Sequence, residues 1–122
     1  MSQERRRFIR VREQLLTFVT SLGTGKVQRT LTRDLGGGGM SFLADDCVTP
    51  GTKIALEINL PSHHAPIQCT AEVVWSRPSG EPRPPGQPPA AETGVKFLEI
   101  AEKDRALIIQ YVRLNAPPSY DP

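Results

Sequence analysis

The sequence predicts a mainly β protein, a small six-stranded antiparallel β-barrel with one C-terminal α-helix. Three observations carry this reading. Short runs rich in β-branched and aromatic residues recur between residues 15 and 98, and the clearest of them alternate apolar with polar side chains. Glycine and proline clusters punctuate the runs, as antiparallel connections require. Only after Ala101 does the apolar period become helical.

The first strand is read at Leu15–Thr20, and the two glycines of Ser21–Lys26 supply a turn into a second strand at Val27–Arg33. Alternation there places Val27 and Leu31 on one face. Gly25-Lys26 has a superficial likeness to the end of a phosphate-binding loop. The first glycine of that motif is replaced by Thr20, however, and Val27 follows the lysine where serine or threonine is needed, so the match is discarded.

Met40–Leu43 resumes an extended segment, which Asp45-Asp46 and Thr49-Pro50-Gly51 interrupt. In the next strand Ile54, Leu56, Ile58 and Leu60 alternate strictly with Lys53, Ala55, Glu57 and Asn59, the pattern of a sheet with one face on a core. After a loop at 61–66, Ile67, Cys69, Ala71, Val73 and Trp75 form the apolar face of a long strand. Six of the twelve prolines fall between Arg77 and Ala91, so this stretch is expected to be an extended, solvated connection. Glu92–Leu98 is the last strand, with Gly94 marking a bulge or a point of close packing. From Ala101 to Asn115, Leu107, Ile108, Tyr111 and Val112 recur at helical spacing, with Glu102 and Asp104 in the first turn and Arg113 near the end. The apolar stripe is expected to pack on one end of the sheet, and Pro117-Pro118 end the helix.

A chain of 122 residues holds one domain with one modest core. The organisation expected is a flexible arginine-rich segment at 1–13, the barrel with its helix at 14–115, and a loose tail at 116–122. A net charge of +2 is too small for bulk nucleic-acid binding, yet the first twelve residues hold five arginines against one glutamate, so the positive charge is local. No stretch of about 18 apolar residues could enter a bilayer, and the N-terminus lacks the apolar core of a signal peptide; a cytoplasmic location is expected. Cys47 and Cys69 lie in or beside apolar stretches without CxxC spacing, which predicts two buried free thiols. His63-His64 has no third ligand at suitable spacing, so no metal is expected, and the absence of a nucleophile–base pair argues against an enzyme.

Chemistry concentrates in two stretches. Arg33-Asp34-Leu35-Gly36-Gly37-Gly38-Gly39-Met40 carries an acid and four glycines, which bare the backbone and reach left-handed conformations that other residues resist. Arg5-Arg6-Arg7-Phe8-Ile9-Arg10 supplies cations that an anionic ligand could share with the glycine loop.

These stretches resemble the PilZ domain, a bacterial receptor module for the second messenger cyclic di-GMP. The family's RRxxxR motif is matched by Arg5, Arg6 and Arg10. Its [D/N]xSxxG motif is matched by Asp34 and Gly39, with Gly36 standing where the serine belongs. Val73-Val74-Trp75 and Gly94-Val95-Lys96-Phe97-Leu98 before a helix are also similar to the family's pattern. The resemblance implies a non-catalytic receptor. Arg6 and Arg10 would contact phosphate and base, Arg5 and Asp34 would assist, and Gly36 and Gly39 would lie against the ligand. It implies no cofactor beyond the cyclic di-GMP ligand, and a protein partner that the sequence does not identify. The alternative is a PilZ-fold adaptor that binds a protein and has lost the nucleotide, which the Gly36 departure favours.

Overall fold

The computed structural model describes residues 10–12, 14–61, 65–87 and 90–115. Seven strands and one helix follow one another: β1 (Arg10–Val11), β2 (Leu16–Ser21), β3 (Val27–Gly36), β4 (Gly39–Ala44), β5 (Lys53–Ile58), β6 (Ile67–Pro78), β7 (Ala91–Glu99) and α1 (Glu102–Asn115). All pairings are antiparallel. The order β3-β2-β5-β6-β7-β4 closes through β3–β4 into a six-stranded barrel. Closure leaves no open edge among the six long strands.

The seventh strand is the two-residue β1, which the sequence did not disclose. It pairs Arg10 with Gly36 and Val11 with Leu35, on the same side of β3 that β2 occupies farther along. β1 and β2 therefore form one interrupted strand. At the interruption, Thr32 accepts at Oγ1 from the Leu15 amide (2.9 Å), while the Thr32 amide donates to the Leu15 carbonyl (3.0 Å). The ordered sheet thus begins ahead of residue 14.

Inward-facing Leu35, Met40, Phe42, Ile58, Ile67 and Val73 fill the barrel, and Ile108 and Val112 of α1 join the same cluster. Burying each of the larger side chains contributes roughly 1.5–3 kcal/mol. The apolar stripe of α1 is thereby used inside the molecule, against β1 and β3. Asn115 caps the helix end by donating from Nδ2 to the Tyr111 carbonyl (2.8 Å).

Several local expectations change. Positive φ occurs at Gly25, Gly51, Gly80 and Gly86, and not in the four-glycine run. Gly36 and Gly39 are paired strand residues, so only Gly37-Gly38 forms the hairpin turn. What the run supplies is bare backbone: a Cβ on Gly39 would overlap the Val95 carbonyl oxygen and lie 3.2 Å from Lys96 Cα.

Val27 and Leu31 do share a face, but it is the outer one, where they are 58% and 46% exposed. Gln28 and Thr30 face the other way and both donate to the Leu43 carbonyl (3.0 and 2.8 Å), tying β3 to β4 beyond the end of their ladder.

The proline-rich connection is anchored as well as solvated. Arg33 meets Glu81 at 2.6 Å, and Arg83 meets Asp45 at 3.6 Å. Of the two free cysteines, Cys69 is buried and Cys47 is exposed, because Cys47 falls in the loop after β4 and not in a strand. Burial pushes the Cys69 thiol up to about 12, with the nearby Asp104 charge adding to the effect, so it stays protonated and unreactive. His63, His64, Pro117 and Pro118 lie outside the described residues.

Candidate functional site

Two of the three register shifts among the described strands decide which side chains of this region reach the outer surface. In β3 the register against β4 shifts between Thr32↔Phe42 and Asp34↔Ser41, so Arg33 is the extra residue. Without that insertion Asp34 would follow Thr32 into the core. In β6 the register against β7 shifts between Val73↔Val95 and Trp75↔Gly94, making Val74 the extra residue and turning Trp75 outward. Bulges re-aim side chains in this way at the cost of a local break in the ladder. The sequence reading, which counted Trp75 with the apolar inner face, missed this reversal.

The bulges align a row of direct cross-strand partners on the outer face: Asp34 (β3), Ser41 (β4), Gly94 (β7) and Trp75 (β6). A neighbouring row runs Arg10 (β1), Gly36 (β3), Gly39 (β4) and Lys96 (β7). At a strand spacing of roughly 4.8 Å, each row spans about 14 Å. The middle of the patch is glycine and serine, while cations, an acid and an indole stand at its margins.

Each margin is held in place. Backbone pairing puts Arg10 diagonal to Asp34, and its Nη2 reaches Asp34 Oδ1 at 3.2 Å. That contact is not aligned as a hydrogen bond, and among the described residues Oδ1 is a buried acceptor with no hydrogen-bond donor. The carboxylate therefore retains accepting capacity toward a ligand. The adjacent Arg33 is committed elsewhere: its hydrogen bond to Glu81 raises its affinity for the proton above the ordinary guanidinium value, against a smaller opposing effect of burial. On the far side, the Trp75 indole lies over Gly94, where any Cβ would run into the ring. The Arg77 guanidinium stacks 4.8 Å from the Trp75 ring centre and meets Glu92 at 3.2 Å. The turn itself is fastened by the Phe97 amide, which donates to the Gly38 carbonyl (3.0 Å).

The structure thus brings together Arg10, Asp34, Gly36 and Gly39 of the residues expected from sequence; Arg5 and Arg6 lie outside the described residues. It adds Ser41, Trp75, Arg77 and Lys96. The sequence signal for Trp75 was Gly94, whose lack of a side chain makes room for the ring. A separate cavity of about 680 Å³, lined by Phe18, Thr20, Glu57, Gln68, Thr70 and Glu99 among others, has two carboxylates and no lysine or arginine in its wall. It suits an anion poorly. Among the described residues, no group of three or more histidine, cysteine, aspartate or glutamate side chains gathers as a metal site would, and no helix is long and apolar enough to cross a membrane.

Comparison with known families matches residues 4–114 to the PilZ domain. The chain belongs to the PilZ domain family. Solved structures place this PilZ domain beside the Bacillus subtilis inhibitor of motility MotI/DgrA, with TM-score 0.70 and 22% identity over 91% of this chain and 52% of that one. It is similar also to the PilZ domain of Escherichia coli YcgR with c-di-GMP, with TM-score 0.69 and 18% identity over 92% and 94% of the two chains. Against the longer YcgR structure in complex with c-di-GMP, the match covers 90% of this PilZ domain and 45% of that chain, at TM-score 0.69 and 17% identity. This PilZ domain spans about half the length of MotI/DgrA. No curated protein matches it in sequence.

Proposed function

We propose that the outer face around Asp34, Ser41, Gly94 and Trp75 binds cyclic di-GMP, and that the domain relays this signal to a protein partner. The observation that carries the reading is the Arg10–Asp34 pair held by β1 beside the bare backbone of Gly36 and Gly39. Arginine offers a planar fork to phosphate oxygens and a face to a purine, which suits a ligand with two phosphodiesters and two guanines. Once Arg10 turns away to a phosphate, the Asp34 carboxylate oxygen that lacks a hydrogen-bond donor matches the N–H groups of a guanine edge. Arg5 and Arg6 would add charge from the N-terminal side, and Trp75 with Arg77 offers a flat surface for a base. The occurrence of c-di-GMP in similar PilZ structures supports the same ligand here.

Calorimetric titration with cyclic di-GMP, cyclic di-AMP and GMP tests this reading. Saturable binding of cyclic di-GMP is expected, with about tenfold discrimination against cyclic di-AMP, since guanine offers the Asp34 carboxylate N–H donors at both N1 and N2 whereas adenine sets its N1 lone pair against it, at a cost of about 1–3 kcal/mol. Absence of binding by all three nucleotides would instead favour the adaptor reading, in which the domain holds a protein partner without a nucleotide.

A further inference from the structure

Ser41 is 1% exposed, and among the described residues its hydroxyl has no hydrogen-bond partner. A buried hydroxyl in that condition is a liability to the free protein, and alanine would fill the same space without it. Its position gives it a use. Ser41 is the direct cross-strand partner of Asp34 on one side and of Gly94 on the other, so its side chain projects on the outer face between the carboxylate and the Trp75 indole. It also lies diagonal to Gly36, because Gly36 pairs with Gly39 two residues before it. Neither glycine puts a side chain between them.

We infer that Ser41 supplies, from the neighbouring strand, the ligand-binding hydroxyl that Gly36 cannot provide. The inference rests on the cyclic di-GMP reading of this face. In the free protein, Arg10 sits against Asp34 in a contact whose side chains are 23% and 33% exposed, a weak tie that phosphate can compete for. When the guanidinium turns to a phosphate, the Asp34 carboxylate beside Ser41 is released to the ligand. The Ser41 hydroxyl then donates to a ligand oxygen over the bare backbone of Gly36 and Gly39. Ligand binding thus supplies the hydrogen bond that the free fold lacks.

The test compares the parent chain with Ser41→Ala, measuring melting temperature without ligand and affinity for cyclic di-GMP by calorimetry. The expected result has opposite signs: the unliganded variant melts at the same temperature or higher, while affinity falls roughly three- to tenfold. A residue with a purely structural role would not separate the two. If the parent binds and the variant binds equally well, Ser41 is not a ligand residue and the receptor reading stands. If the unliganded variant melts clearly lower, the hydroxyl already has a partner in the free fold and the inference fails. If the parent itself does not bind, the receptor reading fails and takes this one with it.

Discussion

Replacing Arg10 with alanine is expected to weaken cyclic di-GMP binding at least tenfold while leaving the barrel folded. The two effects separate because Arg10 serves the fold and the site through different atoms. Its backbone pairs with Gly36, and alanine keeps that pairing. Its guanidinium meets Asp34 at 3.2 Å with both side chains partly exposed, so losing that contact costs at most about 1 kcal/mol of stability. A charge-assisted hydrogen bond to phosphate is worth roughly 1.5–3 kcal/mol, which is the tenfold or greater loss expected by calorimetry. Circular dichroism and melting of the unliganded variant check the fold. An affinity equal to the parent's would remove Arg10 from the site.

Gly39→Ala is expected to damage the fold itself, lowering the melting temperature by on the order of 10 °C. The added methyl is directed at the Val95 carbonyl and at Lys96 Cα, which are backbone atoms of a strand. β7 is paired on both sides, to β4 and to β6, so it cannot yield without loosening two ladders. Overpacking of this kind costs about 1–3 kcal/mol, a large share of a small domain's stability. Gly23→Ala is the matched control. A Cβ there meets nothing within 4 Å and its φ is not positive, so a change within about 0.5 kcal/mol is expected. Thermal unfolding of the two variants side by side reads the difference.

The strands and the helix were legible because their signals are periodic. Ile54 to Leu60 alternates without interruption, and Leu107 to Val112 has helical spacing, so both elements emerged within a residue or two of their ends. A bulge escapes this kind of reading because one extra residue inverts the face of everything after it. Arg33 and Val74 are such residues, and they turn Asp34 and Trp75 outward; nothing local in the sequence marks them. β1 escaped for a different reason. Two residues carry no period, and what pairs Arg10 and Val11 is the edge of β3 that β2 has left vacant. The arginine, acid and glycine pattern pointed to Arg10, Asp34, Gly36 and Gly39, which the structure brings together, whereas Ser41, Trp75, Arg77 and Lys96 meet them only through cross-strand register.

On the proposed reading, cyclic di-GMP sits on the outer face formed by β1, β3, β4, β7 and β6. Mapping backbone amide shifts by NMR during titration with cyclic di-GMP tests it most directly. A contiguous footprint is expected at Arg10–Val11, Asp34–Gly39, Ser41 and Gly94–Lys96, together with the Trp75 indole N–H, and none at Phe18, Thr20, Gln68 and Thr70 around the acidic cavity. Perturbations centred on that cavity, or a spectrum unchanged at saturating nucleotide, would contradict it.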